Sequence, residues 1–150
     1  GTSACVGRVA ARLASPGAGR EVGCNPAGYL PYYQGLFLAP HGAVCGRLLP
    51  FVMRANVRAL TRRSPDSPAL TRYDELARIL TGKADSAAED GVAWVEELCA
   101  ELGVAPLSRY GLTRAVIPEV VEKARRSSSM KGNPVALSAD ELARVLTDAL

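Results

Sequence analysis

Beyond Pro40, apolar residues recur at the three- and four-residue intervals that place them on one face of a helix. Val44, Leu48, Val52 and Val57 form such a stripe in a stretch reaching Thr61. Pro50 lies inside it, and because proline lacks a backbone N–H the pattern predicts a kink or interruption there. A second helix is expected from Ser67-Pro68, with Tyr73, Leu76, Ala77 and Leu80 on one face and Gly82 as its stop. Ser86-x-x-Glu89 has the form of a capping box and leads into a third stripe, Val92, Val95, Cys99 and Leu102, closed by Gly103.

A shorter helix is expected to hold Pro118 in its first turn, with Val120, Val121 and Ala124 following and the polar run Arg125 to Ser129 ending it. Lys131-Gly132-Asn133-Pro134 reads as a turn. Ser138-x-x-Glu141 repeats the capping-box form, and Leu142, Val145, Leu146 and Ala149 line the last helix. No segment alternates as a strand does and no heptad persists, so the predicted fold is all-α, an irregular or orthogonal helical bundle rather than a coiled coil.

The first part of the chain reads differently. Residues 1–33 are rich in Gly, Pro and Ala, and Ala14 to Gly19 and Cys24 to Gly28 each break a helix, leaving only Val6 to Leu13 for a short one. The expected division is therefore a Gly/Pro-rich segment, 1–33, and a helical domain, 34–150. The length of 150 residues suits one domain with its own core and is too short for a dinucleotide domain and a catalytic domain together. Because the chain opens with Gly1 rather than Met, it is expected to be a processed or truncated product of something longer.

Charge and cysteine usage narrow the function classes. A net charge of +3 with acids and bases interspersed argues against a nucleic-acid or membrane-surface binder. No apolar run is long enough to span a membrane, and no signal-like N-terminus is present, so a soluble cytoplasmic protein is expected. Cys5, Cys24, Cys45 and Cys99 contain no C-x-x-C pair and read as reduced, mostly buried thiols.

Candidate chemistry is sparse. His41, the single histidine, stands in Pro40-His41-Gly42 at the mouth of a helix, where a neutral imidazole can ligate a metal. A lone histidine is more often a cap or a core hydrogen-bonding group. Gly17-Ala18-Gly19-x-x-x-Gly23 only superficially suggests a dinucleotide loop, since its third glycine is one place late and no strand precedes it. Arg54, Arg58, Arg62 and Arg63 read as a solvated helix face or a seam to another domain, Trp94 as a core anchor or interface residue, and Cys45 as a weak nucleophile candidate.

Several of these residues fall into one pattern. Pro40-His41-Gly42, Leu48-Leu49-Pro50 and Met53-Arg54-Ala55-Asn56 resemble the P-H-G…L-L-P-x-V-M…N signature of iron-containing alcohol dehydrogenases. The resemblance continues through Tyr73 to Ala77, Gly91 to Trp94, Glu101 to Val104 and Ser129 to Pro134, from about Ala39 to Leu150. It implies the C-terminal part of a helical domain that, beside a Rossmann-like domain binding NAD or NADP, holds a divalent metal, Fe or Zn, to polarise an alcohol or aldehyde oxygen.

The ligand set implied by the family is an aspartate and a histidine from the start of the helical domain, a histidine from an H-G motif, and the histidine of P-H-G. His41 matches the last. At the usual spacing the H-G motif falls on Ala27-Gly28, which places alanine, a residue with no lone pair to donate, at a ligand position. Asp66, Asp74, Glu75 and Asp90 match no family ligand.

The resemblance thus implies a fragment or divergent member of the family, inactive alone, whose metal and NAD(P) sites are completed by a nucleotide-binding partner chain; a homo-oligomer is the other association expected. The alternative is a non-catalytic helical binding or assembly module. A further expectation is that the segment before Tyr33 is poorly ordered. Apolar surface facing a missing domain is expected to drive self-association.

Overall fold

The computed structural model describes residues 40–150. The expected helix over 6–13, the glycines at 17–23 and Ala27 lie outside the described residues. Among the described residues five α-helices follow one another: α1 (His41–Arg63), α2 (Pro68–Thr81), α3 (Ala88–Glu101), α4 (Ile117–Arg126) and α5 (Ala139–Asp148). Short 3-10 turns at Leu107–Tyr110, Arg114–Val116 and Ser128–Gly132 join the later helices. No strand occurs among the described residues, so the all-α architecture is as predicted.

The 23-residue helix α1, roughly 35 Å long at the usual rise, is the strut on which α2, α3 and α5 pack. Its first half turns Val44, Leu48 and Val52 into one core with Leu107, Leu112, Val120, Val121, Leu142 and Leu146 from the α4–α5 side. Its second half turns Met53, Val57 and Leu60 into another core with Tyr73, Val92 and Val95 from α2 and α3. One amphipathic helix thus serves two separate apolar clusters. Burial of each large side chain contributes roughly 1.5–3 kcal/mol before entropic costs.

Pro50 neither ends nor interrupts α1, so of the expected kink or interruption the interruption does not occur. Proline leaves the carbonyl four residues earlier, that of Gly46, without its helical donor. The thiol of Cys99 on α3 donates to that oxygen at 3.6 Å. Buried against the cores on both sides, the helix continues because its neighbour supplies what its own backbone cannot.

The cap of α3 is also corrected, by one residue. Ala87, not Ser86, is the N-cap, and its N–H donates to Asp90 Oδ2 at 2.9 Å. Ser86 is buried and instead pairs its hydroxyl with Thr81 Oγ1 at 2.7 Å, while Asp74 Oδ1 on α2 accepts the Ala88 N–H at 2.8 Å. Tertiary partners therefore replace the local Ser-Glu exchange.

The other boundaries fall where the pattern placed them. Ser67 accepts from Ala69 N ahead of Pro68, and Gly82 closes α2 in the left-handed region with φ 72°. Gly103, φ 63°, donates to Ala100 O while Val104 N donates to Cys99 O, the paired bonds of a Schellman motif. Leu102 does not complete the α3 stripe but sits at this cap, 65% exposed. Ser138 and Glu141 form the predicted reciprocal box, with Glu141 N to Ser138 Oγ at 3.2 Å and Ser138 N to Glu141 Oε2 at 2.7 Å.

Helices α2 and α3 pass close to each other at Gly91. A Cβ on Gly91 would lie 3.0 Å from both Cα and Cβ of Ala77, so a glycine facing an alanine sets this spacing.

Candidate functional site

His41 is the first residue of α1, placed by Pro40, whose carbonyl accepts from Ala43 N at 3.0 Å and Val44 N at 3.2 Å. Pro40 is extended, φ −59° and ψ 132°, so the chain enters the helix abruptly at this point. The imidazole is exposed and makes no hydrogen bond or ion pair among the described residues. It stands at the N-terminal end of a helix that is anchored one turn on by Val44, which is fully buried.

Donors for a metal do not gather around it. Among the described residues no three His, Cys, Asp or Glu side chains come together in a way that could hold a metal ion. Cys45, one turn along, packs against the first core, and burial pushes its thiol pKa up, away from the thiolate that a metal or an electrophile needs. Asp66 lies in the turn after α1, at the opposite end of that helix. Asp74 and Asp90 are used at the start of α3, and Glu75 is exposed on α2. The described residues alone therefore do not fit a divalent metal: one imidazole is present where a mononuclear centre takes about three protein ligands.

The arginine run divides in three dimensions. Arg54 is paired with Glu96 on α3. Arg63 embraces both carboxylate oxygens of Glu141, at 3.0 and 2.9 Å, and also donates to Ala136 O at 2.9 Å. Arg58 and Arg62 are exposed. Two of the four thus act as seams between helices, so the run does not present one continuous cationic face.

Trp94 is half-buried against the second core and lines a shallow cleft of about 360 Å³ with Thr81, Lys83, Asp85, Asp90 and Glu97. Cys99 is half-buried. Burial raises its thiol pKa, and the Arg47 guanidinium partly offsets this. Both described cysteines are free thiols.

A polar constellation that residue patterns did not reveal holds the loop before α5. Asn56, fully buried on α1, donates from Nδ2 to Asn133 Oδ1 at 2.9 Å, and Asn133 Nδ2 donates back to Asn56 Oδ1 at 2.7 Å. Asn56 Nδ2 also reaches Tyr73 Oη at 3.2 Å, and Asn133 Nδ2 reaches Val135 O at 2.7 Å. Both asparagines stand in the matched signature, yet nothing local pairs residues 77 positions apart.

A model of the Fe-containing alcohol dehydrogenase family, C-terminal, matches residues 33–150. Among solved structures, a 1,3-propanediol oxidoreductase is 24% identical with a TM-score of 0.68, over 84% of this chain and 32% of its own. An archaeal halo-thermophilic Red Sea brine pool alcohol dehydrogenase is 22% identical with a TM-score of 0.68, over 85% of this chain and 32% of its own. An iron-containing alcohol dehydrogenase from Thermococcus thioreducens is 25% identical with a TM-score of 0.62, over 83% and 31%. The chain thus spans about a third of the length of the solved structures it matches. A search among curated proteins finds no match.

Proposed function

Because the chain belongs to the iron-containing alcohol dehydrogenase family, we propose that it is a C-terminal helical portion of that architecture and that it is inactive alone. In this reading it contributes one metal-binding imidazole to NAD(P)-dependent alcohol or aldehyde oxidoreduction. The observation that carries the reading is His41: exposed, unpartnered among the described residues, and mounted on the rigid end of α1 at the P-H-G position. A ligand held on a packed helix is positioned more precisely than one on a loop, and this is what the chain offers to a centre completed elsewhere.

Two features support inactivity alone. The chain has one histidine in all 150 residues, and alanine stands at position 27, where the family pattern calls for another. The remaining ligands and the nucleotide site are then supplied from outside the described residues, by a nucleotide-binding partner chain. The metal, when held, supplies Lewis-acid polarisation of the alcohol or aldehyde oxygen.

The test is calorimetric titration of the purified chain with Fe²⁺ or Zn²⁺, beside His41→Ala, together with an assay for NAD(P)H formation from a small primary alcohol. Absence of stoichiometric binding and of turnover is expected. Turnover by the chain alone would overturn the reading. A nucleotide-binding partner that restores metal binding dependent on His41 supports the split enzyme, and one that binds without restoring it supports a helical assembly module.

A further inference from the structure

The polar run that ends α4 has a second use beyond helix termination. We propose that Arg125-Arg126-Ser127-Ser128 is a phosphorylation site, with Ser128 as acceptor for a serine/threonine kinase whose acidic pocket reads arginines three and two residues before the target. Of the three consecutive serines, Ser128 is the exposed one, and its hydroxyl makes no hydrogen bond among the described residues. Ser127 is half-buried and its hydroxyl caps the following turn by accepting the Ser129 N–H, and Ser129 is half-buried.

Both arginines are open to a partner. Arg126 is exposed, and Arg125 is held among the described residues only by Glu122, a pair in which both side chains are more than half exposed and which contributes little in water. Kinases read their substrates in extended form, and the helix ends at Arg126, just ahead of Ser128. Ser127 is already extended, φ −69° and ψ 134°. The turn over Ser128–Gly132 includes the bonds Met130 N to Ser127 O at 3.2 Å, Asn133 N to Met130 O at 3.2 Å, and Ser129 N to Ser127 Oγ at 3.3 Å. Fraying the last turn of α4 together with these bonds presents the segment. The Asn133–Asn56 pair anchors the chain beyond it, so opening stays local.

In the reaction Ser128 Oγ attacks the γ-phosphorus of ATP, its proton passes to the kinase base, and the bond to the β–γ bridging oxygen breaks to release ADP. The product carries roughly two negative charges beside Arg125 and Arg126, which exchange the weak Glu122 contact for charge-assisted bonds to phosphate.

The full chain is incubated with ATP and the catalytic subunit of a basophilic kinase that accepts Arg-Arg-x-Ser, and intact mass is followed with peptide mapping. One phosphoryl group on Ser128 is expected. Ser128→Ala abolishes it, Ser127→Ala retains it, and Arg125→Gln or Arg126→Gln slows it by roughly tenfold or more, as loss of a charge-assisted contact does. All four substitutions are at the surface or at a turn, and circular dichroism checks that each variant is folded. No incorporation into the intact chain, or equal incorporation into Ser128→Ala, overturns the proposal.

Discussion

The Cys99 thiol donates a hydrogen bond to the Gly46 carbonyl, the acceptor that Pro50 leaves without a donor inside α1. A proline in the middle of a 23-residue helix is thereby accommodated by a residue of another helix, and the two halves of α1 remain one strut between two cores.

Cys99→Ala removes this donor and strands a part-buried carbonyl, with an expected loss of about 1–2 kcal/mol in urea unfolding. Cys99→Ser, which keeps a donor, recovers part of it. In a double-mutant cycle, Pro50→Ala restores a backbone N–H to Gly46, so the cost of Cys99→Ala shrinks in that background. Equal costs in both backgrounds would show that the thiol contact carries no stability.

Thiol titration has a defined sign. Burial raises the pKa of Cys45 above the ordinary 9.0, and it does the same for Cys99, with Arg47 pulling back on the latter. The folded state therefore holds these protons when the unfolded chain releases them. The stabilisation is fully present below pH 9 and is lost as pH rises through the raised folded values. Reaction with a chromogenic disulfide at pH 8 is expected to be markedly slower in the native chain than in the denatured one, and stability is expected to fall as the pH rises above 9. Equal reactivity at pH 8 would contradict this placement.

Asn56→Ala deletes a buried amide that exchanges two hydrogen bonds with Asn133 and one with Tyr73. The expected cost is about 2–4 kcal/mol, because the partner amide is left unsatisfied. Replacing both asparagines by alanine should cost less than the sum of the single changes. Additivity in thermal or urea unfolding would mean that the pair does not act as a unit.

Two glycines in helices should respond with opposite signs. Gly42→Ala meets nothing within 4 Å among the described residues and is expected to stabilise by up to about 1 kcal/mol through helix propensity. Gly91→Ala places a methyl 3.0 Å from the backbone and side chain of Ala77, so the expected net effect is a loss of about 1–2 kcal/mol as overpacking outweighs propensity. Melting temperatures that move the same way would reject the close crossing.

At Glu141 the cap and the ion pair are separable. Arg63→Ala breaks a bridge whose side chains are 43% and 36% exposed, with an expected cost of no more than about 1 kcal/mol that declines with added salt. Glu141→Ala also frees the Ser138 N–H at the start of α5 and is expected to cost about 1–2 kcal/mol, part of it insensitive to salt. Identical losses with identical salt dependence would remove the cap from the account.

Features that rest on neighbours within a few residues were readable along the chain. Ser67-Pro68, Gly82, Gly103 and Ser138-x-x-Glu141 act through hydrogen bonds and backbone freedom inside a single turn, so their identity predicts their role. The P-H-G segment around His41 was likewise visible, as was the family to which it belongs. Ser86 failed by the same logic. Its hydroxyl had a better partner in Thr81, and the cap moved to Ala87, whose N–H Asp90 could reach.

The sequence alone therefore determined the helices, most of their ends, the apolar faces and the single candidate ligand, because periodicity and capping are local physics. Only the tertiary structure decided that Pro50 would be tolerated, that Asn56 would meet Asn133, that α1 would serve two cores, and that Asp74 and Asp90 would be spent on α3 rather than gathered at His41. Those outcomes depend on groups 53 and 77 positions apart in two of the cases, brought together by packing. The need of a buried polar group for a partner is general, but which residue meets it is decided by the geometry of the whole.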